Sequence, residues 1–286
     1  MADEQAEPEA DEVEGAQAAD KSGRGVVAAF GQSLKTLRVR AGLEREEFGK
    51  RLGYSASSIA SFEQGRRIPP PRAIDRSDEV LDAGGLLTVW KDQLEKAQYP
   101  AFFQGMAELE KRAIELLAYD TLVVNGLLQT EEYMRALLGN RRPPLDPETI
   151  EQRVTARLAR QDIFDRRPEP LLSFVMCESV VRRKFGGKEV LRGQLEQLLI
   201  IGQRRNVELQ VMPLDSEDSA GVDGPFTVIT REDGKRFVYA EAQGAGALET
   251  DAKQAVLAAA RYGIIRSQAL TPRESLAFIE KLLGEL

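Results

Sequence analysis

The stretch spanning residues 43–65 constrains the fold more than any other part of this 286-residue sequence. Phe48 and Leu52 are one helical turn apart, and acidic residues precede them, as the dipole at the start of a helix prefers. Gly53 then ends this short helix, and Ser55 offers a side-chain oxygen to cap the next one. The spacing therefore predicts two short helices that meet at a tight turn.

Helical patterns continue on both sides of this turn. Phe30, Leu34 and Leu37 recur at helical spacing before it, and Gly42 follows as a stop signal. After it, three consecutive prolines at 69–71 exclude a helix at that point, and apolar residues then resume a helical rhythm. We predict an all-α domain over residues 26–85.

These residues resemble the Cro/CI-like (XRE) helix-turn-helix family. Its pattern of small, apolar and capping residues is met from Leu43 through Gly65, with Gly49 where the two helices pack closely and Gly53 in the turn. A helical hairpin of an unrelated all-α domain is the alternative. Such a hairpin has no reason to carry the excess of basic residues described below.

The resemblance implies that the third helix lies in the major groove of DNA. Carried over position by position, the base-facing residues are Ala56, Ser57 and Ser61. None of these can make the bidentate contact that Arg makes with guanine, so we expect modest sequence discrimination. The resemblance also implies phosphate contacts by basic residues, with plain solvent exposure as the alternative for each: Arg45, Arg66 and Arg67.

Arg38 and Glu63 form an expected structural ion pair. The first lies late in the first helix and the second late in the third, and domains that this one resembles often pair residues at these positions. Removing one partner of a buried pair leaves the other charge uncompensated, at a cost of about 3–5 kcal/mol. We therefore assign this pair to the fold rather than to DNA contact.

Charge is unevenly distributed along the chain. Residues 1–25 hold eight acidic and two basic residues, and their composition predicts a disordered acidic tail. Residues 26–76 hold ten Lys or Arg against five acidic residues, whereas the rest of the chain is acidic. The basic excess coincides with the helix-turn-helix pattern, as expected for a domain that binds double-stranded DNA.

Several function classes are excluded by composition. The sequence has no His and a single Cys, which rules out a disulfide framework, a His/Cys zinc site and imidazole-based catalysis. We expect neither a metal nor another cofactor. No run reaches the roughly 20 apolar residues of a membrane-spanning helix, and the acidic start lacks signal-peptide features. We expect a cytoplasmic protein without membrane contact.

The remaining residues, 86–286, predict an α-rich domain with a small mixed β-sheet. Residues 86–165 read as a helical subregion, in which Leu109, Ile114 and Leu117 form one amphipathic stretch. Residues 166–286 read as an α/β subregion with four strands. The strands start near 171, 207, 226 and 237; a helix from about 190 to 202 between the first two predicts a parallel crossover, and Asp233-Gly234 predicts a hairpin between the last two. The whole chain is thus of the α+β class.

This region resembles the C-terminal domain of WhiJ-like regulators of Streptomyces and related actinobacteria. The resemblance covers roughly residues 110–285, and Gly126-Leu127-Leu128-Gln129-Thr130, Arg160-Gln161 and Tyr239-Ala240-Glu241 are among the motifs that carry it. Asn125 departs from the family pattern, which has Pro there. The resemblance implies an antitoxin-like regulator, commonly encoded near a small partner protein.

Five polar residues of this domain lie next to apolar runs and are candidates for a ligand or partner surface: Gln129, Glu178, Arg182, Gln194 and Glu241. The alternative for each is a helix cap or a satisfied polar residue at the end of a strand. The glycine-rich segment at 244–246 lacks the context of a phosphate-binding loop, so we predict an ordinary loop.

Two functions of different classes follow. The first is a sequence-specific, homodimeric DNA-binding transcription regulator whose C-terminal domain binds a small partner protein or a ligand. The second is an antitoxin-like interaction module that sequesters a small partner and binds DNA only for autoregulation. We expect no enzymatic activity, because nothing in the sequence places two carboxylates at a catalytic separation.

Overall fold

The computed structural model describes residues 9–97, 99, 101–243 and 245–286. The chain forms two compact units. The first contains Met1–Gln104 and Asp146–Arg153, and the second contains Gly105–Leu145 and Val154–Leu286. The overall class is α+β, as predicted, with helices and the helix-turn-helix in the N-terminal part and a six-stranded mixed sheet with helices in the C-terminal part.

The first unit is built from helices. They are α1 (Glu9–Arg40), α2 (Arg45–Leu52), α3 (Ala56–Glu63), α4 (Pro71–Val80), a short 3-10 helix at Thr88–Trp90 and α5 (Lys91–Ala97). The predicted apolar residues of α1 to α3 meet in one core, including Phe30, Phe48 and Ile59. Leu87 and Leu94 belong to the same core, so the first unit extends beyond residue 85, where the sequence analysis ends the domain.

Helix α1 includes part of the predicted acidic tail. Residues 1–8 lie outside the described residues, whereas the backbone from Glu9 to residue 25 is helical. The net negative charge and the absence of aromatic residues predict disorder there. The same segment is rich in Ala and Glu, which are among the best helix formers, and this accounts for the difference.

The second unit surrounds a single sheet. Its strands are β1 (Ala113–Asp120), β2 (Leu171–Cys177), β3 (Val207–Met212), β4 (Phe226–Arg231), β5 (Arg236–Ala242) and β6 (Ala245–Glu249), in the order β3-β2-β1-β4-β5-β6. The first three strands are parallel, and β4, β5 and β6 add antiparallel pairs. The parallel β2–β3 crossover and the β4–β5 hairpin confirm two sequence predictions.

The remaining helices complete the chain. They are α6 (Ala101–Lys111), α7 (Glu131–Gly139), α8 (Pro147–Arg160), α9 (Glu178–Arg182), α10 (Lys188–Ile201), α11 (Ala252–Gln268) and α12 (Pro272–Gly284), with a 3-10 helix at Gln161–Asp165. Thr271 and Glu274 form the predicted capping box of α12. Within the described residues, no helix is both long enough and apolar enough to span a membrane.

Two strands correct the sequence analysis. β1 lies in the centre of the sheet, where the analysis placed an amphipathic helix through Ile114 and Leu117; a short apolar run does not distinguish a helix from a strand that is paired on both sides. β6 begins at Ala245, where the analysis predicted a loop. It is an edge strand, and its pairing with β5, rather than its own composition, explains its extended backbone.

One face of the sheet is covered by α11. Tyr262 and Ile265 of α11 share a core with Leu117, Val175 and Val228 of the strands. The hydroxyl of Tyr262 lies 2.9 Å from the hydroxyl of Ser173 in this core, so its polar end is hydrogen-bonded rather than buried alone.

Candidate DNA-binding surface

The turn between α2 and α3 depends on two glycines. Gly53 has a left-handed backbone (φ 79°), which residues with side chains rarely adopt. The amide of Tyr54 donates to the carbonyl of Gly49 at 2.8 Å, and a Cβ on Gly49 would lie 2.5 Å from the carbonyl oxygen of Tyr54. The predicted close packing at Gly49 is therefore a contact with the backbone of the turn itself.

A close contact between α1 and the end of α3 was missed by the sequence analysis. A Cβ on Gly31 would lie 2.6 Å from the carbonyl oxygen of Phe62 and 2.7 Å from that of Glu63. Gly31 therefore lets α1 approach the end of α3 closely. A glycine within a helical pattern is the only signal of this contact in the sequence.

The first turn of α3 is exposed to solvent. Ala56 and Ser57 are exposed and Ser61 is half-buried, so the three predicted base-facing residues lie on or near the surface. Ser55 caps the helix as predicted, accepting a hydrogen bond from the amide of Ser58 at 3.2 Å. The only acidic residue of α3 is Glu63, which is buried. The accessible side of the helix therefore presents no carboxylate to a phosphate backbone.

Glu63 binds two arginines. Its carboxylate accepts hydrogen bonds from Nε and Nη2 of Arg38 and, at 2.7 Å, from Nε of Arg45. The side chain of Glu63 has no exposed area, and that of Arg38 is 7% exposed. Arg38 also donates to the carbonyl of Leu43, which joins α1 to the start of α2. These contacts place the predicted ion pair inside the fold.

Arg45 contacts the buried Glu63 and also reaches the protein surface. Its side chain is 37% exposed while its Nε is held by Glu63. The cluster of Arg38, Arg45 and Glu63 has one more positive than negative charge, and Arg45 is the member that reaches solvent. Arg45 is predicted from the sequence to contact DNA, and its bond to Glu63 adds a second, structural role.

Arg66 and Arg67 follow the end of α3 by three and four residues. Both are exposed. The guanidinium of Arg67 lies 5.8 Å from the ring centre of Phe62, a distance typical of a cation–π contact. Nη1 of Arg66 lies 4.0 Å from Oε1 of Glu148, and its carbonyl accepts a hydrogen bond from Nε2 of Gln152 at 2.7 Å. An exposed ion pair of this length contributes little, so it leaves Arg66 able to bind phosphate.

Other basic residues of α2 are paired with acids on the same helix. Lys50 contacts Glu46 at 2.9 Å and Arg51 contacts Glu47 at 2.5 Å, each four residues apart. The hydrogen bond and the charge of Lys50 lower the pKa of Glu46, and the same contact raises the pKa of Lys50. This part of the basic excess is neutralised within its own helix, whereas Arg45 shares Glu63 with Arg38 and Arg66 lies 4.0 Å from Glu148.

Two of the polar candidates in the second unit are buried. The side chain of Gln194 accepts from the amide of Thr130 and donates to the carbonyl of Leu128, both at 2.8 Å. Gln129 donates to the carbonyl of Val124 at 2.6 Å and accepts from Arg157 at 2.7 Å. These contacts match the alternative of satisfied polar residues, and they fix the loop between β1 and α7.

The other three candidates lie elsewhere and are more accessible. Glu178 and Arg182 form an ion pair at 2.5 Å on α9, and Arg182 stacks on Phe278. Burial alone would raise the pKa of Glu178, but the amide of Leu214 and Arg182 lower it on balance. Glu241 is exposed on β5, 3.9 Å from Arg141. The contacts of Glu241 are with Arg141 and Tyr239, so they do not bring the five candidates into one shared site.

A half-buried carboxylate, Asp120, lies at the end of β1 and was not predicted from the sequence. Burial raises the pKa of Asp120 to about 7, against a smaller lowering by the side-chain amide of Asn125. That amide lies 3.3 and 3.2 Å from the two carboxylate oxygens, and Oδ1 of Asn125 accepts from the amide of Leu127 at 3.0 Å. Asn125 thus forms the turn for which the related pattern uses Pro. Among the described residues, no group of three or more potential ligands is arranged to hold a metal ion.

The three-helix core, the glycine-dependent turn and the exposed start of α3 define a helix-turn-helix DNA-binding protein. Comparison with protein families agrees, because residues 29–89 match a helix-turn-helix domain. Residues 103–281 match a domain of unknown function (DUF5753). This second match covers more than half of the chain, so the protein belongs to that family. No curated protein and no solved structure matches the chain. The resemblance to WhiJ-like regulators stays a prediction.

Proposed function

We propose that the protein is a cytoplasmic transcription regulator that binds a specific double-stranded DNA site as a homodimer. In this proposal the second unit receives the signal, either from a small partner protein or from a ligand, as WhiJ-like regulators are expected to do. The first unit supplies the DNA contact. We propose no catalytic activity for either unit.

One observation carries the proposal. The exposed start of α3 has small side chains and no accessible carboxylate, and arginines lie on either side of it, at Arg45 before the turn and at Arg66 and Arg67 after the helix. A recognition helix enters the major groove by its N-terminal part, while basic side chains nearby bind phosphates. The arrangement matches both requirements.

Homodimerisation follows from the small size of the base-facing residues. Ala56, Ser57 and Ser61 offer a methyl group and two hydroxyl groups to the bases, which supports only weak discrimination. A second copy bound to the other half of a palindromic site doubles the contacts and supplies the missing affinity and selectivity.

The phosphate contacts are tested by replacing Arg66 and Arg67 together with Ala. Two lost phosphate contacts should lower the salt dependence, the slope of log K against log salt, by about 2, and should weaken binding to every duplex alike. Fluorescence anisotropy over a salt series measures both quantities. The double variant of Lys50 and Arg51 to Ala is the matched control, because these two residues are already paired with acids. A loss restricted to one sequence would show that Arg66 and Arg67 read bases.

A substitution at Ser57 tests whether α3 enters the major groove. A Ser57→Asp change places a carboxylate on the exposed side of α3 and should reduce DNA affinity by about 100-fold or more, because it brings an unpaired negative charge into the groove between the two phosphate backbones. Ser57→Ala is the matched control and should change affinity only slightly. If Ser57→Asp binds DNA as the wild type does, α3 is not the recognition helix.

The duplex used in both tests comes from recovery of DNA bound to the protein across the genome. Mass spectrometry of the proteins that co-purify with it addresses the second unit. A stoichiometric small protein together with weak, unselective DNA recovery would favour the antitoxin-like module over the proposed regulator.

A further inference from the structure

Helix α8 (Pro147–Arg160) is shared by the two units. Asp146–Arg153 belong to the first unit, which holds the DNA-binding surface, and the rest of the helix belongs to the second. The helix has no Gly, and its one Pro is its first residue, where Pro is tolerated. Its 14 residues therefore form an unbroken helix of about 21 Å, and a displacement of one half is passed to the other.

The start of α8 contacts both the backbone and the side chain of Arg66. Nε2 of Gln152 donates to the carbonyl oxygen of Arg66 at 2.7 Å, and Oε1 of Glu148 lies 4.0 Å from Nη1 of Arg66. Glu148 and Gln152 are four residues apart, so they lie on the same face of the helix. One face of α8 therefore reaches a residue that we propose to bind a DNA phosphate.

The segment that contacts Arg66 is acidic. Residues 146–153 contain three acidic residues and one basic residue. Asp146 caps α8, because its carboxylate accepts from the amide of Thr149 at 2.7 Å, so the start of the helix is well defined. A DNA phosphate that binds Arg66 comes close to Glu148, and like charges at this separation repel even in water. The start of α8 therefore opposes the phosphate contact that Arg66 provides.

The contact between Glu148 and Arg66 affects DNA affinity more than stability. The two side chains are 48% and 49% exposed, so their ion pair adds little to the free energy of unfolding. The same exposure lets a phosphate displace the carboxylate. Arg66 binds DNA by exchanging Glu148 for a phosphate, and this exchange lowers the DNA affinity of the intact chain.

The second half of α8 is anchored inside the second unit. Nη1 of Arg157 donates to Oε1 of Gln129, in the loop between β1 and α7, at 2.7 Å. Arg160 donates to the carboxylate of Glu110 through two nitrogens, both at 2.7 Å. These charge-assisted hydrogen bonds are among the stronger side-chain contacts. The position of α8 therefore depends on the loop that contains Gln129.

These contacts also join two sequence motifs that DNA binding does not use. Nε2 of Gln161, the residue after α8, donates to the carbonyl of Gln129 at 2.8 Å. A Cβ on Gly126 would lie 3.3 Å from Nη1 of Arg160, so this glycine leaves room for the guanidinium. The loop motif at 126–130 and the Arg160-Gln161 motif are distant in sequence, and they meet at the second half of α8.

We infer that the start of α8, residues 146–153, is an autoinhibitory segment that competes with DNA phosphate for Arg66, under the control of the second half of the helix. The inference rests on the proposed function and adds a means of regulating it. A partner or ligand that alters the β1–α7 loop changes the anchoring of Arg157. The helix then moves Glu148 relative to Arg66 and changes DNA affinity.

Neutralising Glu148 tests the competition. In the full chain, Glu148→Gln should bind the recovered duplex about 5-fold more tightly at low salt and should raise the slope of log K against log salt by up to about 1, because Arg66 is released for a phosphate. Glu280→Gln removes the same charge from an exposed position on α12 and should bind within about 2-fold of wild type. Equal affinities of Glu148→Gln and wild type, or equal gains at both positions, would overturn the inference.

A second background shows whether Glu148 acts through Arg66. In Arg66→Ala, the residue for which Glu148 competes is absent, so Glu148→Gln should raise affinity by less than about 2-fold there. Two residues that act through one contact give non-additive effects of this kind. A gain of about 5-fold in both backgrounds would overturn the inference, because Glu148 would then act on DNA without Arg66.

Arg157→Met tests the control by the second half of α8. The change removes the donor to Gln129, so it should loosen the helix and tighten DNA binding by about 3-fold. It should add nothing in the Glu148→Gln background, since the carboxylate that α8 positions is then absent. Arg273→Met, at an exposed site on α12, is the matched control for charge, and circular dichroism checks that each variant is folded. The same effect of Arg157→Met in both backgrounds, or none in either, would overturn this control.

The proposed function and this inference fail in different ways. If neither the wild type nor Glu148→Gln binds DNA, the proposed function is contradicted. If the wild type binds its duplex selectively and no more weakly than Glu148→Gln, the autoinhibitory segment is contradicted and the helix-turn-helix role stays intact.

Discussion

The two units use buried polar residues in different ways. In the first unit, a buried carboxylate, Glu63, is shared by Arg38 and by the half-exposed Arg45, so the cluster connects the core to the surface. In the second unit, Glu110 is bound by two nitrogens of Arg160 at 2.7 Å, and both side chains are almost fully buried. Buried polar groups serve the DNA-binding surface in one unit and internal packing in the other.

This contrast explains why some polar residues predicted as surface sites lie at the surface, whereas others are buried. The arginines near α3 reach solvent, whereas Gln129 and Gln194 bind the backbone of a loop. A polar residue beside an apolar run is a candidate for a surface site only when the fold leaves its polar atoms without internal partners. The following predictions test whether the two units differ in this way.

The largest expected effect is at Glu63. Glu63→Ala strands the buried guanidinium of Arg38 and should destabilise the first unit by about 3–5 kcal/mol. Trp90, the single tryptophan, packs against the core of this unit, so its fluorescence during urea unfolding reports on the first unit alone. Glu47→Ala removes an exposed acid and should change stability by less than about 0.5 kcal/mol. A Glu63→Ala variant with the wild-type midpoint would contradict the structural role of the pair.

A smaller loss is expected at Gly49. Gly49→Ala places a methyl group against the carbonyl of Tyr54, and the turn must shift to accommodate it, at about 2–3 kcal/mol. Gly25→Ala is the matched control, because the added methyl group on α1 meets nothing within 4 Å and should stabilise the helix slightly. Trp90 fluorescence during urea unfolding measures the stability of both variants. Equal effects at the two positions would mean that the turn is looser than its backbone contacts indicate.

The helix-turn-helix could be predicted because local rules determine it. The cap at Ser55, the left-handed turn at Gly53 and the close contact at Gly49 depend on residues fewer than ten positions away. The contact at Gly31 depends on a residue about thirty positions away. A glycine in a helix gives no indication of which backbone will approach it, so this contact could not be predicted.

The sheet was predicted only where neighbouring segments determine it. The β2–β3 crossover and the β4–β5 hairpin join consecutive elements, and both were found. β1 pairs with β2 and with β4, whose residues are 50 to 120 positions away, and its own apolar residues fit a helix as well as a strand. Likewise, the burial of Gln194 depends on the loop at residues 128–130, which is distant in sequence. Long-range pairing of this kind leaves little trace in local periodicity.

A substitution at Gln194 tests whether buried polar groups hold the second unit together. Gln194→Ala leaves the amide of Thr130 and the carbonyl of Leu128 without partners and should destabilise this unit by about 2 kcal/mol. Hydrogen exchange of peptides from the β1–α7 loop should show faster opening, while Trp90 fluorescence stays unchanged. Gln197→Ala, three residues along α10 and half-exposed, is the control. If Gln194→Ala left exchange of the loop unaltered, the hydrogen bonds of Gln194 would not be what holds the loop in place.

The smallest expected effect is the pH dependence caused by Asp120. Burial raises the pKa of Asp120 to about 7, whereas the unfolded chain has a pKa of about 3.9 for Asp. The folded state therefore holds the proton more tightly, and this contribution to stability is complete below about pH 4, declines as the pH rises towards 7, and is lost above it. Asp120 keeps some contact with solvent, so we expect a decline on the order of 1 kcal/mol between pH 5 and pH 8.

Asp120→Asn removes the titrating group and retains an oxygen that can accept from Asn125. Urea unfolding followed by circular dichroism at pH 5 and pH 8 should therefore show a smaller pH dependence in this variant than in the wild type. Asp215→Asn, on an exposed loop, removes the same charge and should leave the pH dependence as it is. Because Asp120 lies in the second unit, Trp90 fluorescence should not report the difference. A change seen by Trp90 would mean that the stabilities of the two units are coupled.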